Sequence, residues 1–441
     1  MRRIFSFFTL LTLILSCFAQ SFTSHVVDAQ ADGARDVWVE DIDGDSDPDI
    51  VVACGIGGKI SWYENISGQS FTEHLISNTV NSPYAVYAVD LDKDGNMDVL
   101  SAISNDDQIL WHKQDNNQAF TTHIISSTID GPRDVAAADL DNDGDIDVVS
   151  TSAIDNKVAW HKNTNNSFAE TIITSNFSGA YALVLEDLNN DNYIDIIASA
   201  LSGNKIAWFM NNSGTGFTEY TIINNYSFPY SIEVKDMDAD TDFDIITVSS
   251  GGNKISFLKN DGSQNFTEQI INTNSIAVKC AKAFDIDNDN DIDIISASAG
   301  DDKIAVHFND GSMNYTEHPI CLNCDNAYSC FVSDINNDGL GDVISASMNS
   351  DQVLWHEQAS TSTDIVESKS KSFDIINQNG TYSIIFSNIN ELELVNIYTY
   401  NGQLIYSNNN YVNTKPIKLS SKGPFIFKLF MKGNKKYQII R

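Results

Sequence analysis

Positive charge is scarce in this chain: 26 Lys and Arg stand against 60 Asp and Glu in 441 residues, a formal charge of -34 at pH 7. The shortage is uneven. Residues 21–361 hold 14 Lys/Arg against 55 Asp/Glu, a net of -41, while residues 362–441 hold 10 against 5. A surface of that sign repels phosphate, so no nucleic-acid partner is expected. Self-repulsion on this scale becomes tolerable when bound cations offset it. Cysteine is sparse too. Beyond the N-terminal segment only Cys54, Cys280, Cys321, Cys324 and Cys330 remain, an odd number that excludes a disulfide scaffold. Cys321-x-x-Cys324 is too little for structural zinc, which takes four ligands. A local disulfide among Cys321, Cys324 and Cys330 is expected in an exported chain, with Cys54 and Cys280 as buried thiols. The chain also lacks a G-x-S-x-G elbow, an HExxH pair and a phosphate-binding glycine loop. No nucleophile–base set stands out, so catalysis is not expected.

Long apolar runs are missing as well. Ile4 to Leu15 is too short to cross a bilayer comfortably, and nothing later reaches transmembrane length. With Arg2 and Arg3 before it and Cys17-Phe18-Ala19 after it, this run reads as a signal peptide over residues 1–19. Leu15-Ser16-Cys17 keeps a lipidated Cys17 open as the alternative. An extracellular or outer-membrane surface location follows.

What the chain does have is repetition. Seven Asp-rich loops begin at Asp41, Asp90, Asp139, Asp187, Asp236, Asp285 and Asp334, at steps of 49, 49, 48, 49, 49 and 49 residues. Each loop sits in a unit of four short β-type segments. In the second unit these are Ala85–Val89, Val99–Ala102, Gln108–His112 and Phe120–Ile125. Turn pairs such as Asp155-Asn156 and Gly203-Asn204 suit tight hairpins. Seven four-stranded units predict an all-β, seven-bladed β-propeller over residues 21–358. Phe22–Val27 looks like a fourth strand standing before the first loop, and the seventh unit stops after its third strand, Gln352–His356. The N-terminal strand is therefore expected to close the ring.

The loops follow D-x-[DN]-x-D-x-x-x-D. Oxygen-bearing side chains fall at positions 1, 3, 5 and 9: Asp41, Asp43, Asp45 and Asp49; Asp90, Asp92, Asp94 and Asp98; Asp139, Asp141, Asp143 and Asp147; Asp187, Asn189, Asp191 and Asp195; Asp236, Asp238, Asp240 and Asp244; Asp285, Asp287, Asp289 and Asp293; Asp334, Asn336, Asp338 and Asp342. Alternate positions on a tightly curved loop aim several oxygens at one point. Calcium takes six to eight oxygens, so up to one calcium per blade is expected. Magnesium, with stricter geometry, is the second choice, and loops without His or Cys disfavour zinc. Val52 and Ser101 stand at position 12, where an EF-hand carries Glu. The competing explanation is that Asp and Asn merely mark solvated turns; seven matched spacings oppose it. Position 6 is glycine only at Gly95, Gly144 and Gly339; Asn192 suits a left-handed backbone better than Thr241 or Ser46. The fourth and seventh loops lose a charge at Asn189 and Asn336, and are expected to bind more weakly.

Other recurring residues read as structure. Trp62, Trp111, Trp160, Trp208 and Trp355 share one third-strand register with Phe257 and Val306, as core between blades; a sugar-stacking platform is the minor alternative. The eight histidines fall in two registers, and His112/His123, His307/His318 and His356/His25 are expected as cross-strand pairs. For an enzyme, Arg35, Arg133, Tyr84, Tyr181 and Tyr230 are the only nameable candidates. They recur, which favours a structural role.

Residues 359–372 are Ser/Thr-rich and read as a linker. Residues 373–441 show short β runs and an Asn401-Gly402 turn, predicting a small β-sandwich.

With its Asp loops and phrases such as Asn156-Lys-Val-Ala-Trp-His161, the repeat resembles the FG-GAP/VCBS family, including the calcium-binding blades of integrin α-subunits. That resemblance covers about residues 21–358 and implies calcium in the loop between the first and second strands of each blade. The tail, through Val395–Tyr406, Lys422-Gly423-Pro424-Phe425 and Lys436–Arg441, resembles the C-terminal sorting domain of type IX secretion cargo. The Pro-Asn-Pro segment that usually opens such domains is absent from 373–380. This second resemblance implies a Bacteroidetes-type source, secretion machinery as a partner, and removal of the tail on export. Together these features predict a monomeric, calcium-binding surface scaffold that engages a glycan or protein ligand, perhaps-free of catalytic duty; the alternative is a lyase-like polysaccharide-degrading enzyme built on such a propeller.

Overall fold

The computed structural model describes residues 21–68 and 70–359, together with strands between 373 and 440. The expected signal peptide and the linker beyond Ala359 lie outside the described residues. Ser21–Gln358 forms one compact unit. It is a seven-bladed all-β propeller, as the repeat predicts. Each blade is a four-stranded antiparallel sheet; the second comprises Pro83–Val89, Asp98–Ile103, Gln108–Gln114 and Phe120–Ser126. The last blade is completed by Ser21–Asp28 beside Gln352–Ala359.

Burial follows strand order within a blade. Second strands such as Asp98–Ile103 are buried at every residue, and fourth strands such as Phe120–Ser126 are mostly exposed. Second strands accordingly read as unbroken apolar and small runs, because both faces are covered by neighbouring blades. The tryptophan register forms that cover. Trp62 is 1 % exposed and packs with Val86, Val99 and Leu110 of the next blade. Trp355 joins Ile344 and Val353 to Val37, Ile50 and Tyr63 of the first blade, sealing the ring. Fully burying a side chain of this size is worth about 3 kcal/mol, whereas a cross-strand pair gives about 0.2–1 kcal/mol, so apolar packing dominates blade-to-blade cohesion. All five register tryptophans are buried, which removes them as a sugar platform.

The histidine pairs need correction. An even register through Ile109↔Ser126 would put His112 opposite His123, but the register shifts between Ile109 and Leu110. His112 therefore faces Thr122, and Trp111 faces His123. The same shift sets His307 against Glu317 and Val306 against His318, and His356 bonds Ser24 while His25 bonds Glu357. Neighbouring residues of a strand point to opposite faces, so the two histidines of each expected pair are separated by the sheet. Each register has its own structural task. His112, His161, His307 and His356 are buried and bond the hydroxyls of Ser101, Ser150, Ser296 and Ser345. His74 stacks on Trp62, and His25 and His123 lie over Trp355 and Trp111.

Cys321 and Cys324 form a disulfide, while Cys54, Cys280 and Cys330 are buried free thiols. The tail contributes two antiparallel sheets. One holds Phe373–Gln378, Thr381–Phe386 and Ile417–Lys418; the other holds Leu404–Asn408, Leu392–Thr399, Phe425–Met431 and Lys435–Ile440. Among the described residues no helix is long and apolar enough to cross a membrane.

Candidate functional sites on the two ends of the propeller

The Asp loops link the first and second strands of each blade, so all seven lie at one end of the ring. Positions 4 and 6 take the left-handed backbone every time: Lys93 and Gly95 at φ 59° and 90°, Ala239 and Thr241 at 59° and 76°. Two such residues curl the loop so that its backbone N–H groups turn inward. Asp90 accepts from the amides of Asp94 and Gly95 at 3.0 and 2.9 Å, and Asp94 accepts from Asn96. A Cβ at Gly95, Gly144 or Gly339 would meet nothing within 4 Å, so the cost of a side chain at position 6 is backbone strain alone. A β-branched residue bears it worst. Thr241→Gly is therefore expected to stabilise the protein by about 1 kcal/mol, read as a higher urea midpoint with unchanged slope; an unchanged or lower midpoint would show that the loop is unstrained.

Position 9 has a job that spacing alone does not reveal. Asp98 is fully buried and accepts from the amides of Leu91 and Gln114 at 3.3 and 2.8 Å, and from Trp111 Nε1 at 2.9 Å. Asp49, Asp147, Asp195, Asp244, Asp293 and Asp342 make the same two backbone contacts. This residue pins the loop to the third strand. Burial pushes these carboxyls up, Asp98 to about 6 and Asp49 and Asp342 to about 7. The residue that follows the pin in space stitches blades together: Gln114 Nε2 donates to Ile42 O, Asn211 Nδ2 to Leu140 O and Asn65 Nδ2 to Ile335 O, each in the loop of the preceding blade.

Positions 1, 3 and 5 carry the metal-like chemistry. Three carboxylates lie within 4.8 Å of one another in five loops: Asp41, Asp43 and Asp45; Asp90, Asp92 and Asp94; Asp139, Asp141 and Asp147; Asp236, Asp238 and Asp244; Asp285, Asp287 and Asp289. The loops carrying Asn189 and Asn336 are not among these groups. The Oδ1 atoms of Asp92, Asp141, Asp238 and Asp287 are buried without a hydrogen-bond partner. A buried, unpaired carboxylate oxygen is costly, and an all-oxygen cluster around it suits a hard cation such as calcium. The loops are not equal. Lys113, Lys162 and Lys259 extend from third strands onto the carboxylates of Asp92 and Asp94, Asp141 and Asp143, and Asp238 and Asp240. In the second, third and fifth loops an ammonium thus already offsets part of the charge. The first loop has Glu64 and the sixth Phe308 at that third-strand position.

The opposite end of the ring is chemically different. There the second residue of each first strand forms a circle around the central channel: Arg35, Tyr84, Arg133, Tyr181, Tyr230, Lys279 and Tyr328. All seven line a cavity of about 540 Å³. The structure therefore brings together the five residues that sequence singled out for an enzyme and adds Lys279 and Tyr328. Reading the same register through the sixth and seventh units would have found both. Tyr84 Oη lies 2.7 Å from Tyr181 Oη and 2.6 Å from Tyr328 Oη, and Tyr230 Oη lies 2.7 Å from Tyr328 Oη. The guanidinium carbons of Arg35 and Arg133 stand 4.6 and 4.4 Å from the Tyr84 ring centre, and Lys279 Nζ stands 3.7 Å from that of Tyr230. Burial raises the Tyr84 hydroxyl, but hydrogen bonds from Tyr181 and Tyr328 and the Arg133 charge outweigh it and hold it below the usual phenol range. Deeper in the channel, Asp36 and Asp134 accept from the amides of Val86 and Leu183 on neighbouring blades, and Lys282 pairs with Glu233 at 3.2 Å.

A family model described as FG-GAP-like repeat matches residues 41–101, 90–150, 139–198, 187–247, 236–296 and 285–345. The chain belongs to the FG-GAP-like repeat family. Those overlapping matches span well over half of it. Among solved structures, this FG-GAP-like chain is similar to the BBS1N–ARL6DN complex, at 8% identity and TM-score 0.56 over 77% of this chain and 96% of that one, a likeness of fold. It is also matched to an Agrocybe aegerita lectin described for recognition of non-reducing terminal N-acetylglucosamine, at 16% identity and TM-score 0.46 over 75% and 86% of the two chains. A nidogen/laminin complex matches at 10% identity and TM-score 0.41 over 59% and 89%. Comparison with curated proteins finds no match.

Proposed function

We propose that this protein is a secreted or cell-surface propeller, stabilised by calcium at its Asp loops, that binds a glycan or protein ligand as a non-catalytic scaffold. The observation that carries the reading is the separation of the two ends. One end holds the acidic loops, stitched into the framework. The other opens on a channel whose mouth gathers arginine, lysine and tyrosine. Ligand sites are concave and hold a few convergent polar groups, and that mouth fits the description. In this reading residues 1–19 direct export, 373–441 engage the type IX machinery, and the mature protein acts as a monomer. Calcium, when bound, supplies charge neutralisation and cross-links within each loop; Asp41, Asp43 and Asp45, with their counterparts in the other blades, hold it.

The lyase-like alternative has one observation in its favour. Tyr84 and Arg133 are adjacent, and the hydroxyl is held below its ordinary range. A glycan array probed in calcium and in chelator separates the two readings. Bound glycan without product supports the scaffold. Shortened, unsaturated product from an acidic polysaccharide replaces it with the enzyme.

A further inference from the structure

The three cations at the channel mouth stand out against the charge of the whole domain. Residues 21–359 contain 14 Lys and Arg. Nine of them, all lysines, form ion pairs, among them Lys59–Glu73, Lys157–Asp155, Lys205–Glu219, Lys254–Glu268 and Lys303–Glu317. Among the described residues no carboxylate lies within 4 Å of Arg35, Arg133 or Lys279. In a domain with so many carboxylates, three unpaired cations on one ring need a reason.

Their donors are also unspent. Arg35 Nη1 donates to Ser82 Oγ at 3.2 Å and Arg133 Nη1 to Ser104 Oγ at 2.7 Å. Each guanidinium has five N–H donors. Arg35 Nε is buried with no partner. Lys279 Nζ has a single long contact, 3.5 Å, to Ser250 Oγ. The four tyrosine hydroxyls are packed tightly enough to close the channel at this end, so whatever these donors bind meets them at the mouth. All three cations keep partial exposure there.

We infer that this ring is an anion site that takes the carboxylate or sulfate of an acidic saccharide. The inference rests on the ligand-binding reading above and names its ligand class. Arginine N–H groups match a carboxylate or sulfate in geometry as well as charge. The tyrosine and serine hydroxyls around them match sugar hydroxyls. A slender chain that places one anionic group at the mouth keeps its distance from the acidic rest of the surface; a broad acidic protein face would not.

The test uses the mature chain in calcium, with binding followed by calorimetry. The probes are a uronate oligosaccharide, a sulfated oligosaccharide, a neutral oligosaccharide of equal length, acetate and sulfate ions, and an acidic peptide. The expected result is binding of the uronate or the sulfated probe, weakened by salt. Arg133→Gln and Lys279→Gln each weaken it about tenfold or more, with melting temperatures close to the parent. Which of the two probes binds identifies the anionic group. Tyr328→Phe keeps the ring shape and provides a second variant should Arg133→Gln fail to fold. Equal binding of the neutral probe, preference for the acidic peptide, binding of free ions only, or unchanged affinity in the folded variants each overturns the anion site. A neutral glycan or peptide bound at the parent's affinity by the variants leaves the broader scaffold reading standing. No binding by any probe or array glycan removes both.

Discussion

Stripping calcium from the purified protein is expected to lower its melting temperature by about 10 °C or more, with recovery on adding calcium back. Three carboxylates within 4.8 Å of one another recur in five loops. Two unit charges at that distance repel by about 3 kcal/mol at an effective dielectric of 20. Lys113, Lys162 and Lys259 relieve part of this in three loops, but the first and sixth loops have no such ammonium. One cation site filled at a hundred times its dissociation constant adds about 2.7 kcal/mol, and a domain of this size shifts roughly 2 °C per kcal/mol. Several sites acting on loops stitched to neighbouring blades make a ten-degree change a modest expectation. Scanning calorimetry in chelator, then in excess calcium, measures it. An unshifted transition would mean that the loops are solvated turns and that the cation reading is wrong.

Acid is expected to destabilise the propeller between about pH 6.5 and 4 through four buried histidines. Burial lowers His112, His161, His307 and His356 to about 4, against about 6.5 in an unfolded chain. The unfolded state therefore binds more protons inside that window, so the contribution is present above pH 6.5 and is lost as the pH falls toward 4. Each site is worth roughly 1–3 kcal/mol, and His161, 3.9 Å from Glu170, gives less than the others because a carboxylate offsets its charge. The position 9 aspartates act oppositely without cation. Their raised values mean that ionising them, as pH climbs from about 4 to 7, costs the folded state. The histidine share is isolated by comparing the parent with His112→Gln and His356→Gln in one buffer. Each variant loses some stability at pH 7 and shows a shallower fall from pH 6.5 to 4. A slope equal to the parent's would place the acid sensitivity elsewhere.

The sequence by itself determined the parts of this protein that repeat. A period of 49 residues, an Asp loop in each unit and a spare fourth strand at the N-terminus suffice for a seven-bladed ring, because local strand and turn preferences are written into every unit. The tryptophan register was legible for the same reason: one apolar side chain per blade, at one place, has to fill the gap between blades. The tertiary structure decided what depends on register and on contacts across the ring. A one-residue shift after Ile109 moved His123 from His112 to Trp111, and no composition pattern announces such a bulge. Position 9 of each loop looks like a ligand by spacing, yet burial commits Asp98 and its counterparts to backbone amides. Arg35, Tyr84 and Lys279 lie 49 to 195 residues apart or more along the chain and meet only because closing the ring turns the start of every first strand toward one axis. Their chemistry belongs to that axis, which no single repeat contains.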